Sequence, residues 1–165
     1  MMVVSHNKQP GFTIVELLIV IVVIGILAAI VIVAYNGVTG RANDETVKSN
    51  LDNISKQMEM YQSAAGRYPE NDTELYGISG GIKVNKSAYD STAMFNVLVC
   101  LMSGGGGYAV MGQSKTGNRF YINSTNPYPM STTITGYSGL CGTLGASGLP
   151  YWLYSSEVWN SNVKG

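Results

Sequence analysis

From Gly11 to Ala34 the chain reads GFTIVELLIVIVVIGILAAIVIVA, an apolar segment of bilayer length with one acid, Glu16, near its start. After Glu16, residues 17–34 carry no charge and no strongly polar side chain. About 20 apolar residues suffice to cross a bilayer as a helix. The apolar part of a secretory signal runs about 7–15 residues and ends at a small-residue cleavage site. This run is longer, and it passes into a second patterned helix. A plain membrane anchor accounts for its length but not for Glu16. An ionisable group in lipid is costly unless it has a partner, so it points to function.

The next segment keeps a helical pattern but changes its chemistry. Asn36-Gly37-Val38-Thr39-Gly40 is a weak point, because each Gly inside a helix costs about 1 kcal/mol relative to Ala. A kink or local bend is expected there, and Gly25 is a second soft spot. No Pro lies between Pro10 and Pro69, so local flexibility in this helix rests on Gly25, Gly37 and Gly40. From Asp44 onward, Val47, Leu51, Ile54, Met58, Tyr61 and Ala65 recur at alternating steps of four and three, which is one helical face. Asp44, Glu45, Lys48, Asp52, Lys56 and Glu59 lie off that face, with Asp52 and Lys56 at the favourable i, i+4 spacing. Such a stripe is expected to pack on a sheet. Gly66-Arg67-Tyr68-Pro69 closes the helix, with Gly as the C-terminal cap and Pro as the stop.

Beyond Pro69 the signals are shorter. Asp90-Ser91-Thr92 followed by Met94, Val97, Leu98 and Leu101 fits a brief helix slightly better than a strand. Tyr108–Gln113 and 118–123 read as two strands around a Ser-Lys-Thr-Gly turn. Residues 130–135 and 151–158 are further strand candidates. An antiparallel sheet laid on the amphipathic helix is the simplest way to bury that helix face, giving an α+β fold.

Composition argues against several functions. The 165 residues hold ten basic and ten acidic side chains, a formal net charge of zero. That balance disfavours a strongly basic nucleic-acid surface and an acidic disordered tail. Lys83, Lys86, Lys115 and Arg119 are scattered and read as a solvated surface, so nucleic acid is not an expected partner. The one histidine, His6, lies ahead of the apolar run, and a chain cut at the head of that run would keep no imidazole for a triad or a zinc site. Gly104-Gly105-Gly106-Gly107 lacks the Gly-Lys-Ser/Thr ending of a phosphate loop and reads as a flexible turn. After Asp90 the sole acid is Glu157, which disfavours a carboxylate-rich calcium loop. No catalytic residue, metal or cofactor is expected. The distal aromatics include Tyr151, Trp152, Tyr154 and Trp159. They fit a sheet core with a tyrosine rim, or an adhesive or subunit-contacting face.

Gly11-Phe12-Thr13-Ile14-Val15-Glu16-Leu17-Leu18 resembles the processing and assembly signature of bacterial type IV pilins and type II secretion pseudopilins. The resemblance runs to Pro69, where Gly66-x-Tyr68-Pro69 is also similar to that family. It implies a leader over residues 1–11, cut between Gly11 and Phe12 by a membrane peptidase, with methylation of the new Phe12 amine. It implies a transmembrane and polymerisation helix over 12–35, an amphipathic half over 36–66 and a sheet-bearing head over 67–165. Glu16 would pair with the Phe12 amine of a neighbouring copy and so set register in the filament. The implied partners are other copies of the chain, the prepilin peptidase, an inner-membrane platform protein, an assembly ATPase acting indirectly, and lipid before assembly. The implied location is the cytoplasmic membrane with the head outside, then a surface pilus serving adhesion, motility or DNA uptake. Major pseudopilins commonly carry a calcium loop, so its expected absence tilts the reading toward a pilin. A pseudopilin or minor pilin is the alternative, and a membrane-anchored binding module that never polymerises is another. The family often staples its C-terminal region. Cys100 and Cys141 would then close a disulfide loop of roughly 40 residues, worth about 4 kcal/mol in the chain-entropy model. Two buried thiols are the other reading.

Overall fold

The computed structural model describes residues 11–165 except 91, 93–94, 135–139, 147, 156–157 and 165. For Phe95, Leu140, Leu149, Trp152, Tyr154, Ser155 and Val158 it describes the backbone alone. The expected leader, residues 1–10 in particular, lies outside the described residues. Two helices open the chain, α1 (Ile14–Ala65) and α2 (Asp72–Gly77). Four strands follow, β1 (Phe95–Leu101), β2 (Tyr108–Gln113), β3 (Arg119–Asn123) and β4 (Met130–Thr132). The short α3 (Leu140–Thr143), β5 (Leu149–Ser155) and β6 (Val158–Trp159) complete the order. The chain divides into two compact units between Val38 and Thr39, inside the glycine-bearing stretch. Helix assignment continues through Asn36–Gly40 without a break.

In the first unit, every residue from 11 to 38 is exposed. The helix that contains it is long and apolar enough, by length and composition, to cross a membrane.

The second unit is α+β. Its sheet has six strands in the order β4-β3-β2-β1-β5-β6, and all its ladders are antiparallel. The helix stripe packs on one face of this sheet. Val47, Leu51, Ile54 and Met58 are fully buried, together with Val97, Val99, Val110 and Ile122 from the strands. Tyr61 is half-buried and Ala65 is exposed, so the stripe ends sooner than its period suggests. The opposite face carries a second, smaller core. Leu98, Cys100, Ala109 and Met111 meet Cys141, Leu144 and Ala146 there.

That double cover explains the one misread element. Residues 95–101 were expected as a short helix, yet they form β1, paired with β2 on one side and β5 on the other. A strand buried on both faces loses the apolar–polar alternation that marks a strand, and a continuous apolar run looks the same in either conformation. The other strand expectations hold, with β4 ending at Thr132 and the last run divided into β5 and β6. Thr135 of the fourth expected strand falls outside the described residues.

Two buried tyrosine hydroxyls hook onto the helix. Asn50 Nδ2 donates to the Tyr89 hydroxyl (3.1 Å), and Ser55 Oγ and the Tyr108 hydroxyl share a hydrogen bond of 2.7 Å. Burial pushes both tyrosine pKa values well above the usual range. The packing is tight at Gly112, where a Cβ would sit 3.0 Å from Val47 Cγ1 of the helix and 3.2 Å from Tyr89 Cε1.

The helix end is fastened by a polar cluster. Gly66 caps it at φ 75°, its N–H donating to the Gln62 carbonyl (2.8 Å). Arg67 then grips Glu74 with both terminal nitrogens, at 2.8 and 2.7 Å. That guanidinium, helped by the Glu70 backbone N–H, holds the Glu74 carboxyl down at about 2. Tyr68 donates to Glu59 (3.0 Å). Burial, together with that carboxylate, pushes the Tyr68 pKa up to about 12.

Gly112→Val is expected to destabilise the head by about 1–3 kcal/mol through overpacking, read by chemical unfolding of the full chain in detergent. Because the Glu74 pKa is depressed below its ordinary 4.5, its stabilisation is complete above that pH and drains away as pH falls toward about 2. Glu74→Gln should therefore melt earlier than the parent at neutral pH. The gap in Tm should close between pH 4.5 and 2, a trend that circular dichroism melts across that range would follow.

Candidate functional site: the head of the apolar helix

The start of α1 is built by two side chains that answer each other. The Thr13 carbonyl accepts the Leu17 N–H (3.3 Å), which makes Thr13 the N-terminal cap. Thr13 Oγ1 accepts the Glu16 N–H (3.3 Å). In return Glu16 Oε2 accepts the Thr13 N–H (2.8 Å) and the Thr13 hydroxyl proton (2.7 Å). This is a capping box, in which residues three apart satisfy each other's backbone donors. The pattern Ser/Thr-x-x-Glu ahead of an apolar run is its sequence signature. Thr13-x-x-Glu16 was therefore legible as a cap, and sequence reading gave Glu16 an assembly role without noticing it.

The box uses one carboxylate oxygen. Among the described residues, Glu16 Oε1 accepts no hydrogen bond. The same side chain can start its own helix through Oε2 and still receive a donor from outside through Oε1. Phe12 lies immediately before the cap and is 92% exposed, so its backbone nitrogen and ring are open to a partner. Downstream, the exposed Ile, Leu and Val side chains of residues 14–33 provide the apolar surface that such a partner would share. At Gly25 and Gly37 a Cβ would meet nothing within 4 Å beyond the adjoining helix backbone, whereas at Gly40 a Cβ would come 3.2 Å from Thr116 Cγ2.

The remaining sequence candidates lie in the second unit. Cys100 of β1 and Cys141 of α3 are joined by a disulfide, with 5.4 Å between their Cα atoms. It ties the segment covering the second face to the middle of the sheet. Tyr151 and Trp159 are half-buried against the larger core, and Trp159 meets Tyr89 edge-on at 5.4 Å with Lys86 Nζ 5.7 Å from its ring. Those two rings serve packing at least in part. The Trp152 and Tyr154 side chains lie outside the described ones. Among the described residues no group of three or more His, Cys, Asp or Glu side chains is placed to hold a metal.

The prokaryotic N-terminal methylation motif matches residues 6–32, which covers the capping box and most of the apolar run. Relatives match the same N-terminal part. The type IV wide pilus major component PilA4 of Thermus thermophilus is 43% identical over 77 residues, 47% of this chain and 57% of that protein. The type IV major pilin protein PilE1 of Neisseria gonorrhoeae is 38% identical over 68 residues, 41% of each chain. The type II secretion system core protein G of Dickeya chrysanthemi is 32% identical over 70 residues, 42% of this chain and 46% of that protein. The chain spans about half the length of the curated relatives it matches. No solved structure matches it significantly. Motif and relatives make the N-terminal part of this chain similar to that of type IV pilins and type II secretion core proteins.

Replacing Cys100 and Cys141 together by Ser removes a link across 41 residues and is expected to lower head stability by about 4 kcal/mol in the chain-entropy model. Denaturant midpoints of the oxidised parent and the double variant give the difference.

Proposed function

We propose that this chain is the structural subunit of a type IV pilus. In this reading it is cut after Gly11, methylated at the Phe12 amine, held in the membrane by residues 12–35 and then polymerised into a surface filament. The observation that carries the reading is the carboxylate of Glu16 at the head of the exposed apolar stretch of α1, with one oxygen engaged by Thr13 and the other open. A lone carboxylate is expensive in lipid, and an incoming cationic amine relieves that cost. Pairing Glu16 Oε1 with the Phe12 amine of a neighbouring copy would give the bundle a register that apolar contacts alone lack. The glycines at 25, 37 and 40 would supply what bending assembly needs.

The partners follow from this reading. They are other copies of the chain, a prepilin peptidase, an inner-membrane platform protein, an ATPase acting through that platform, and lipid before assembly. The filament would serve adhesion, motility or DNA uptake, with residues 151–159 as a candidate contact surface. The similarity to type II secretion core proteins supports a second reading, a pseudopilus subunit. The scarcity of acids after Asp90, which disfavours a calcium loop, favours the pilus.

Filaments sheared from producing cells should contain a subunit whose intact mass begins at methylated Phe12 and is two hydrogens short, with thin fibres in electron micrographs of the same fraction. A subunit retained in the membrane with residues 1–11 attached would refute the reading. Glu16→Ala should still be cleaved and membrane-held, with filament yield reduced at least tenfold.

A further inference from the structure

A cleft of about 880 Å³ opens beside the free edge of the sheet. Its walls include Asp44 and Lys48 of α1, Asn118 and Arg119 at the start of β3, and Ser131 and Thr133 in and after β4. Two of these side chains are held in fixed orientations by neighbours. Asp44 Oδ1 accepts the Ser114 and Thr116 hydroxyls, and Oδ2 accepts Asn118 Nδ2 (2.8 Å). Burial works to raise the Asp44 pKa, but these donors outweigh it and keep the group below its usual range. With its amide nitrogen turned to Asp44, Asn118 has its carbonyl oxygen left as an acceptor. Arg119 is tethered twice, by Nε to Gln113 Oε1 (3.0 Å) and by Nη1 to the Ile134 carbonyl (3.1 Å). Those tethers come from separate segments and fix the plane of the guanidinium. Among the described residues Nη2 donates to nothing, so its two N–H donors are left open.

A fixed guanidinium matches a carboxylate in a way that a mobile lysine does not. Hydroxyls and an amide oxygen around it suit a ligand that itself carries hydroxyls. We propose that this cleft binds an acidic sugar, a hexuronate or similar polyhydroxylated carboxylate. The ligand's carboxylate would meet Arg119, and its hydroxyls would meet Asn118, Ser131 and Thr133. A nucleic-acid strand fits less well. Phosphate backbones are held by rows of cations, whereas Lys48 is engaged by Glu45 at 2.8 Å. The adjoining hollow of about 450 Å³ adds Glu45 and Asp52 to the same flank. The proposal concerns the head alone and stands apart from polymerisation.

The test is titration of the full chain in detergent micelles with sodium glucuronate, followed by NMR at the Arg119 Nε–H and the Asn118 side-chain amide. Saturable shifts at both are expected, with glucose and acetate each binding at least tenfold more weakly. Arg119→Gln should cut affinity at least tenfold. Thr133→Trp places a bulky ring in the part of the cleft where the ligand's hydroxyls would sit while leaving Arg119 in place, and it should do the same even where Arg119→Gln unfolds. Filament yield from Thr133→Trp should stay at the parent level, which separates loss of binding from loss of assembly. The proposal is overturned by an absence of saturable shifts, by equal binding of acetate, by unchanged affinity in Thr133→Trp, or by a ten-residue oligothymidylate binding more tightly than glucuronate.

Discussion

Residues 12–38 expose an apolar surface that the chain does not cover itself. Beyond its first turn the main-chain polar groups are satisfied inside the helix, so the segment tolerates lipid well. A bundle of like helices would serve equally well, since lipid tails and neighbouring side chains are similarly apolar. That near-equivalence is why the proposed function rests on Glu16. Apolar contact has no preferred register, and the carboxylate is the one charged group along this stretch. On the proposed reading, whatever receives its open oxygen would also fix the position of everything attached to it.

The capping box changes how that carboxylate is understood. Held by Thr13, it is neither a dangling charge nor wholly committed. Helix initiation and the proposed outside recognition draw on the two oxygens of one carboxylate, so a substitution at Glu16 would disturb both. Substitution at Thr13 disturbs the first and weakens the orientation needed for the second.

Much of this was legible from the chain itself. The apolar run, the stripe at Val47, Leu51, Ile54 and Met58, the Gly66 cap and the hairpin strands all follow local rules that the fold obeys. β1 was not legible, because its pattern depends on a segment more than 40 residues later that covers its outer face. Asn50 and Ser55 were also missed, since a helical wheel places them beside the stripe and only the tyrosine hydroxyls of a distant loop and strand explain their burial. The cleft was hidden for a similar reason. Asp44, Asn118 and Arg119 read as ordinary surface charges and amides until a turn brings the first two together and two separate segments pin the third.

The sheet ends in very short strands, three residues at β4 and two at β6. A long bare edge invites the edge of another molecule, and short ones deny it a template. Packed side by side at high local concentration, such heads resist fusing into a shared cross-β ribbon. Their order in any larger assembly would be dictated from elsewhere in the chain, and it would stay reversible in a way that edge-joined sheets are not.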